Sequence, residues 1–237
     1  MIVVTGLRAE ARIARAPGVS VFACGGNVEL RAHAIKKAVF AGAPAIVSFG
    51  IAGGLSSRLK PGDWIVATGV MTHDRRIETD IEWSNRLVNR LSDPDLGDIV
   101  SVADPVFHPV HKRSLRARTG ASAVDMESFQ AAVLAEELGV PFAAVRVIAD
   151  PAHRELPIAA MLGFQADGAV AFGAVAQSLF WNPSQIPSLM RLASDAVIAF
   201  RALLRGRGTL GPHFGSSPRT GVISVAHSPT FTTVSSE

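Results

Sequence analysis

Residues 121–150, ASAVDMESFQAAVLAEELGVPFAAVRVIAD, set Asp125, Met126 and Glu127 inside an apolar run that closes on Asp150. Only 18% of the 237 residues are charged, so carboxylates within core-like elements call for a reason. A carboxyl group in apolar surroundings loses hydration, which raises its pKa and suits it to general acid work. Arg146 lies four residues before Asp150, and strand alternation puts both on one face. Glu10 is a further acid, just after the first apolar run. The glycine turn Gly50-Ile51-Ala52-Gly53-Gly54 closes another apolar run and can bring an anion or a sugar to backbone N–H groups. Each feature also has a plainer use. Glu127 suits a helix N-terminus, Asp150 a turn cap before Pro151, and the glycines a tight turn. His108 and His111 flank Pro109 without Cys or a third ligand nearby, so no metal site is expected.

The elements that must position these groups read as alternating strands and helices. Apolar, β-branched runs at 1–6, 19–26, 45–55, 63–71 and 141–150 read as strands; helical periodicity covers 28–41, 128–138 and about 184–205. This order predicts a single α/β domain over 1–211, a three-layer α/β/α sandwich around a mixed, largely parallel sheet. Residues 212–237, rich in Ser, Thr, Pro and Gly, read as a disordered tail. Hydrophobic residues make up 48% of the chain, yet no window reaches eighteen uninterrupted apolar residues, so no transmembrane helix is expected. The N-terminus lacks a basic region ahead of its apolar run and reads as a strand, not a secretory signal. The single Cys24 allows no intramolecular disulfide and fits a reducing cytoplasm. Net charge is +3, with one basic cluster, Lys112, Arg113, Arg116 and Arg118, read as a solvated face. With no Tyr and 6% aromatics, a nucleic-acid platform is not expected. Dinucleotide, P-loop and nucleophile-elbow fingerprints are absent.

Four segments in order, TGLRAE (5–10), SFGIAGGL (48–55), AVDMES (123–128) and VRVIAD (145–150), resemble the nucleoside phosphorylase and nucleosidase family. Thr72-His73-Asp74 adds a weaker fifth match. ADPAHRELPIAAMLGFQADG (149–168) and SLFWNPSQIPSLMRLASDA (178–196) resemble its hopanoid-associated branch more than the methylthioadenosine/S-adenosylhomocysteine nucleosidases. The resemblance implies cleavage of an N-glycosidic bond, which generates an oxocarbenium-like sugar and a base that must be protonated as it leaves. It makes Asp150 the acid at purine N7 and Glu10 the group that positions or deprotonates water. Glu127 accepts from the ribose hydroxyls, Met126 packs on the sugar, and Arg146 orients the water or Glu127. Asp125 is read as structural. Gly50, Ile51, Ala52, Gly53, His73 and Asp74 are implied at the substrate, and Val106 and Phe107 on the base side.

Hydrolysis and phosphorolysis part at the turn 48–51. The phosphorylases bind phosphate there with an arginine and a serine; here Ser48 and Ile51 stand in their place. A dianion needs charge-assisted donors, which Ile51 cannot supply. Water is therefore the expected nucleophile. Phosphate as co-substrate is the alternative, with Arg8, Arg75 or Arg76 as its ligand. The apolar segment 156–164, LPIAAMLGF, suits an apolar 5′-substituent such as the hopane of adenosylhopane, or a plain core helix. A methylthioadenosine/S-adenosylhomocysteine nucleosidase and a non-catalytic nucleoside binder are the other readings. No cofactor or metal is implied. The resemblance implies a homo-oligomer in the cytoplasm, and a lipidic substrate would add peripheral contact with the membrane.

Overall fold

The computed structural model describes residues 1–23, 28–156 and 181–216. Strand β1 (Ile2–Thr5) leads into helix α1 (Arg8–Ala14), then β2 (Ser20–Ala23) and α2 (Val28–Phe40). Next come β3 (Ile46–Gly54), β4 (Trp64–Met71), β5 (Arg76–Glu78), α3 (Ile81–Val88), β6 (Asp95–Ser101) and α4 (Pro109–Thr119). Then follow β7 (Ala123–Asp125), α5 (Ser128–Glu137), β8 (Phe142–Asp150) and, after a short 3-10 turn, α6 (Ile186–Leu210). The mixed α/β architecture is the expected one, with β2, β1, β3 and β8 parallel to one another in that order.

The sheet is not flat. β8 lies between β3 and β4, and β4 runs through β6 and β7 back to the far end of β3. Five strands thus close into a ring, with β1 and β2 extending from one side and β5 edging β4. All nine residues of β8 are buried, as its unbroken apolar run requires of a strand covered on both faces. Val3, Val47, Phe49, Val145 and Val147 pack on one side with α1, α3 and α6. Ile2, Val4, Ile46, Ala144 and Ile148 pack on the other with α2 and α5.

Helix α6 runs past the expected 205 to Leu210, with two glycines in its last turns. Gly206 has a steric reason, since a Cβ there would stand 2.1 Å from the Trp64 ring. Residues 212–216, expected as the start of the tail, instead pack against the domain. Phe214 is fully buried, stacked edge-on to Phe49, and its carbonyl accepts from Trp83 Nε1 at 2.7 Å. The remainder of the expected tail, 217–237, lies outside the described residues, as does Cys24. No helix among the described residues is long and apolar enough to cross a membrane.

Candidate active site

Glu10 enters the site because α1 starts three residues after β1 ends, which puts the carboxyl at the third helical position. Its Oε2 accepts from the Leu7 N–H at 2.7 Å, one half of a capping box. A capping acid is ordinarily exposed, but Glu10 is 1% exposed and its Oε1 also accepts from the Ile51 N–H of β3 at 2.7 Å. Burial raises its pKa, opposed by Arg146 and by the N–H groups of Ile51, Leu7 and Gly6.

Arg146, on the central strand β8, is wholly buried. Its Nε and Nη2 reach Asp125 Oδ2 at 3.0 and 2.7 Å. Nη2 also donates to Ser48 Oγ at 2.7 Å and Ser128 Oγ at 3.1 Å, and stands 3.5 Å from Glu127 Oε2. Its Nη1 has no hydrogen-bond partner. A Cβ on Gly50 would sit 2.5 Å from Glu10 Oε1 and 2.6 Å from Arg146 Nη1, so both groups lie over a position only glycine can fill. Gly6 plays the same part for Glu127, whose Oε1 would be 2.7 Å from its Cβ.

Glu127 occupies the N-cap position of α5, yet its side chain caps nothing. That work falls to Asp125, which accepts from the Ser128 N–H at 3.3 Å, from the Ser128 hydroxyl, and from Ser101 Oγ at 2.5 Å. Glu127 is pushed up to about 7, first by burial and then by the neighbouring carboxyls of Asp125 and Glu10, with Arg146 opposing. Asp125 is thus the structural counter-charge of the guanidinium, and Glu127 is left for another role.

Asp150 ends β8. The register slips between Ala52 and Gly53, so that Ile148 faces Ala52 while Asp150 faces Gly53. The extra residue, Ala149, breaks the simple alternation expected between Arg146 and Asp150; a bulge of this kind re-aims the side chain that follows it. The Asp150 Oδ2 meets the Nζ of Lys112, and its buried Oδ1 has no partner. Burial pushes this carboxyl up to about 6 against the pull of Lys112, with Asp195 raising it and Arg154 lowering it. Lys112 was expected on a solvated basic face. It is wholly buried, while Arg113 and Arg118 are exposed and Arg116 donates to the Ala121 carbonyl at 2.9 Å.

Two acid centres, one beside a guanidinium and one beside an ammonium, therefore share the same end of β3 and β8. The sequence matches the phosphorylase superfamily over residues 18–180. The chain belongs to that superfamily. Solved structures agree on the fold at low identity. Futalosine hydrolase of Helicobacter pylori matches with a TM-score of 0.58 at 18% identity, covering 87% of this chain and 96% of its own. The H. pylori 5′-methylthioadenosine/S-adenosylhomocysteine nucleosidase matches at 0.57 and 18%, covering 86% and 96%. Its counterpart from Colwellia psychrerythraea, solved in complex with adenine, matches at 0.60 and 16%, covering 88% and 94%. No curated protein matches the chain.

Within this superfamily fold the remaining expected site residues divide. Gly50, Ile51, Ala52 and Gly53 line the C-terminal half of β3, between Glu10 and Asp150; a Cβ on Gly53 would stand 3.6 Å from Asp150 Oδ2. Ile51 contributes its N–H, and its side chain packs with the Val47 and Phe49 layer, opposite Arg146. Met126 is 40% exposed beside Glu127. Val106 packs against Leu55, Val100, Ala121 and Val124, and the Phe107 carbonyl accepts from the Leu156 N–H at 3.0 Å, tying this loop to the segment after Asp150. No hydrogen bond or ion pair links His73 or Asp74 to Glu10, Glu127, Arg146 or Asp150 among the described residues. His73 and Asp74 are exposed in the turn between β4 and β5 and pair with each other at 3.9 Å. The turn follows Met71, which packs with Leu55, Val100 and Val124, and both side chains face solvent. Arg75 and Arg76 lie in the same hairpin, paired with Glu136 and with Asp98 and Glu78. Among the described residues no cluster of His, Cys, Asp and Glu has the makings of a metal site.

Proposed function

We propose that this chain cleaves the N-glycosidic bond of a purine nucleoside, with water as the nucleophile and adenine as the released base. The observation that carries this reading is the placement of Glu10 Oε1 and the unpartnered Arg146 Nη1 together over Gly50. A water molecule between them accepts from the guanidinium and donates to the carboxylate, which then takes its proton as the oxygen attacks C1′. Glu127, alongside, accepts from the ribose hydroxyls. As the C1′–N bond breaks, its electrons pass to the purine and the base takes a proton from Asp150 Oδ1. Three carboxyl groups stand against one guanidinium at the sugar side, a field that stabilises an oxocarbenium-like transition state.

The same field repels a phosphate dianion. Ser48, at the position where the phosphorylases use a phosphate ligand, has its hydroxyl in bonds with Arg146 and Ser128, and Arg75 and Arg76 are engaged by Glu136 and by Asp98 and Glu78. The fold is shared with a futalosine hydrolase and with methylthioadenosine/S-adenosylhomocysteine nucleosidases, one of them solved with adenine, which supports cleavage of an N-glycosidic bond. For the finer substrate we retain adenosylhopane, with the hopanoid-branch resemblance as support; of the apolar segment 156–164 only Leu156 lies within the described residues.

In phosphate-free buffer the protein is expected to release adenine and a free 5′-substituted ribose from adenosylhopane, followed by mass spectrometry, and phosphate should not accelerate it. Adenine that appears only with phosphate, alongside a sugar 1-phosphate, overturns the choice of water. Nucleoside binding without adenine release overturns catalysis altogether. Glu127→Gln should weaken ribonucleoside binding by about fivefold, since bonds to a charged acceptor exceed neutral ones by ~1 kcal/mol. With its carboxyl pushed up to about 7, wild-type affinity should rise as pH passes upward through that value, and the Gln variant's should not. An affinity indifferent to both changes removes Glu127 from the ribose.

A further inference from the structure

We propose that Lys112 is the positioning residue of the acid: from inside α4 it takes one oxygen of the Asp150 carboxyl and leaves the other to meet the purine. This rests on the nucleosidase reading above and adds to it a residue outside its sugar and base contacts. Lys112 is 0% exposed, and its Nζ meets three acceptors: Asp150 Oδ2, the Pro151 carbonyl at 3.1 Å and the Arg154 carbonyl at 3.2 Å. An ammonium has three N–H donors and a neutral amine two, so this environment fits the charged form. All three acceptors lie in the five residues from Asp150 to Arg154. The lysine therefore fixes the carboxyl and the backbone that follows it to the helix that also carries the base-side loop. The bond from the Leu156 N–H to the Phe107 carbonyl ties the same two pieces together a second time.

The consequence for chemistry follows from which oxygen is left. With Oδ2 on the ammonium, only the buried and unpartnered Oδ1 can carry the proton to the base. When the Oδ1–H bond breaks and the N7–H bond forms, Asp150 becomes a carboxylate beside a fixed cation. That product state is stabilised, which makes Asp150 a stronger acid than burial alone would allow. The other charged groups facing Asp150 nearly offset each other, since Arg154 and Asp195 of α6 pair at 2.8 Å. Lys112 is thus the uncompensated charge at this carboxyl.

The test compares Lys112→Met and Lys112→Gln with the wild-type protein. Removing the cation should move the alkaline limb of kcat to higher pH and lower the plateau about tenfold, because a weaker acid transfers its proton less readily. The Asp150 carboxyl, followed by 13C NMR and assigned by its loss in Asp150→Asn, should titrate at higher pH in the same variants. Lys112→Arg, which keeps the charge, should return both toward wild type. A limb and a carboxyl titration that stay in place in the Met and Gln variants overturn the proposal. The NMR arm needs no turnover: absence of adenine release from the wild type would sink the nucleosidase reading and leave Lys112 still decided by the carboxyl. A readout free of variants is available if neither folds. The chain has four lysines, and reductive methylation of the native protein should modify Lys36, Lys37 and Lys60 and spare Lys112. Methylation of Lys112 at the rate of the others would overturn its burial against Asp150.

Discussion

Asp150→Asn is expected to lower kcat by about 10²–10⁴-fold while leaving the fold in place, the range a positioned general acid contributes. The amide oxygen can still accept from Lys112, so the buried ammonium keeps its contacts, but the side chain has no acidic proton to give. The pH dependence supplies the discriminating check. Burial raises Asp150 to about 6, so the acid form is present below that value and is lost as pH rises through it. Wild-type kcat should fall along that limb, and the residual activity of the Asn variant should not. Native stability carries the same sign: the folded carboxyl binds its proton more tightly than the unfolded one, so this contribution fades as pH passes upward through about 6. Profiles of kcat and thermal melts on both sides of that pH measure both effects. Activity within a few fold of wild type would remove Asp150 from the mechanism.

Much of the site was legible because Glu127, Arg146 and Asp150 interrupt or close apolar runs, while Glu10 was marked by the TGLRAE segment of the resemblance. Glu127, Arg146 and Asp150 stand out beside or within elements that otherwise bury hydrocarbon, and a buried charge in such a place must be paired or functional. Lys112 gave no such contrast. Helix α4 reads VHKRSLRART, almost uniformly polar, and a lysine there looks like its exposed neighbours. The signal that existed was weak: Leu115, the apolar residue of its later turns, marks the inward face, and Lys112 lies three residues before it on the same stripe. What no local pattern reveals is that the stripe meets a carboxyl 38 residues further along the chain.

The ring of strands was hidden for a related reason. β5, β6 and β7 are short or carry polar residues such as Asp95, Asp98 and Asp125, so none advertises a continuous apolar run. Closure follows from long-range pairing, with β7 crossing antiparallel to the end of β3, and that pairing is also what delivers Asp125 to Arg146. The place of His73 and Asp74 after β4 is right in sequence order, but both side chains face solvent in the hairpin turn and pair with each other.

Glu10→Gln should be the second near-complete loss, and it should cost stability as well as rate. Both oxygens of this buried carboxyl accept backbone N–H groups, from Leu7 and from Ile51, each at 2.7 Å. An amide has one oxygen and one NH2, so whichever way it turns, a donor faces a donor and one buried N–H loses its acceptor. That loss is worth about 1–3 kcal/mol. The melting temperature should therefore drop, whereas Asp150→Asn, with Lys112 still satisfied, should melt near wild type at neutral pH. Measured well below its melting point, Glu10→Gln should fall by about 10²-fold or more in kcat, because the water over Gly50 then has no base to take its proton. Binding of adenine, which we propose lies on the Asp150 side, should be retained. A variant that melts early but turns over within a few fold of wild type would confine Glu10 to the architecture of α1 and β3, and the nucleophile would have to be activated by Glu127 instead.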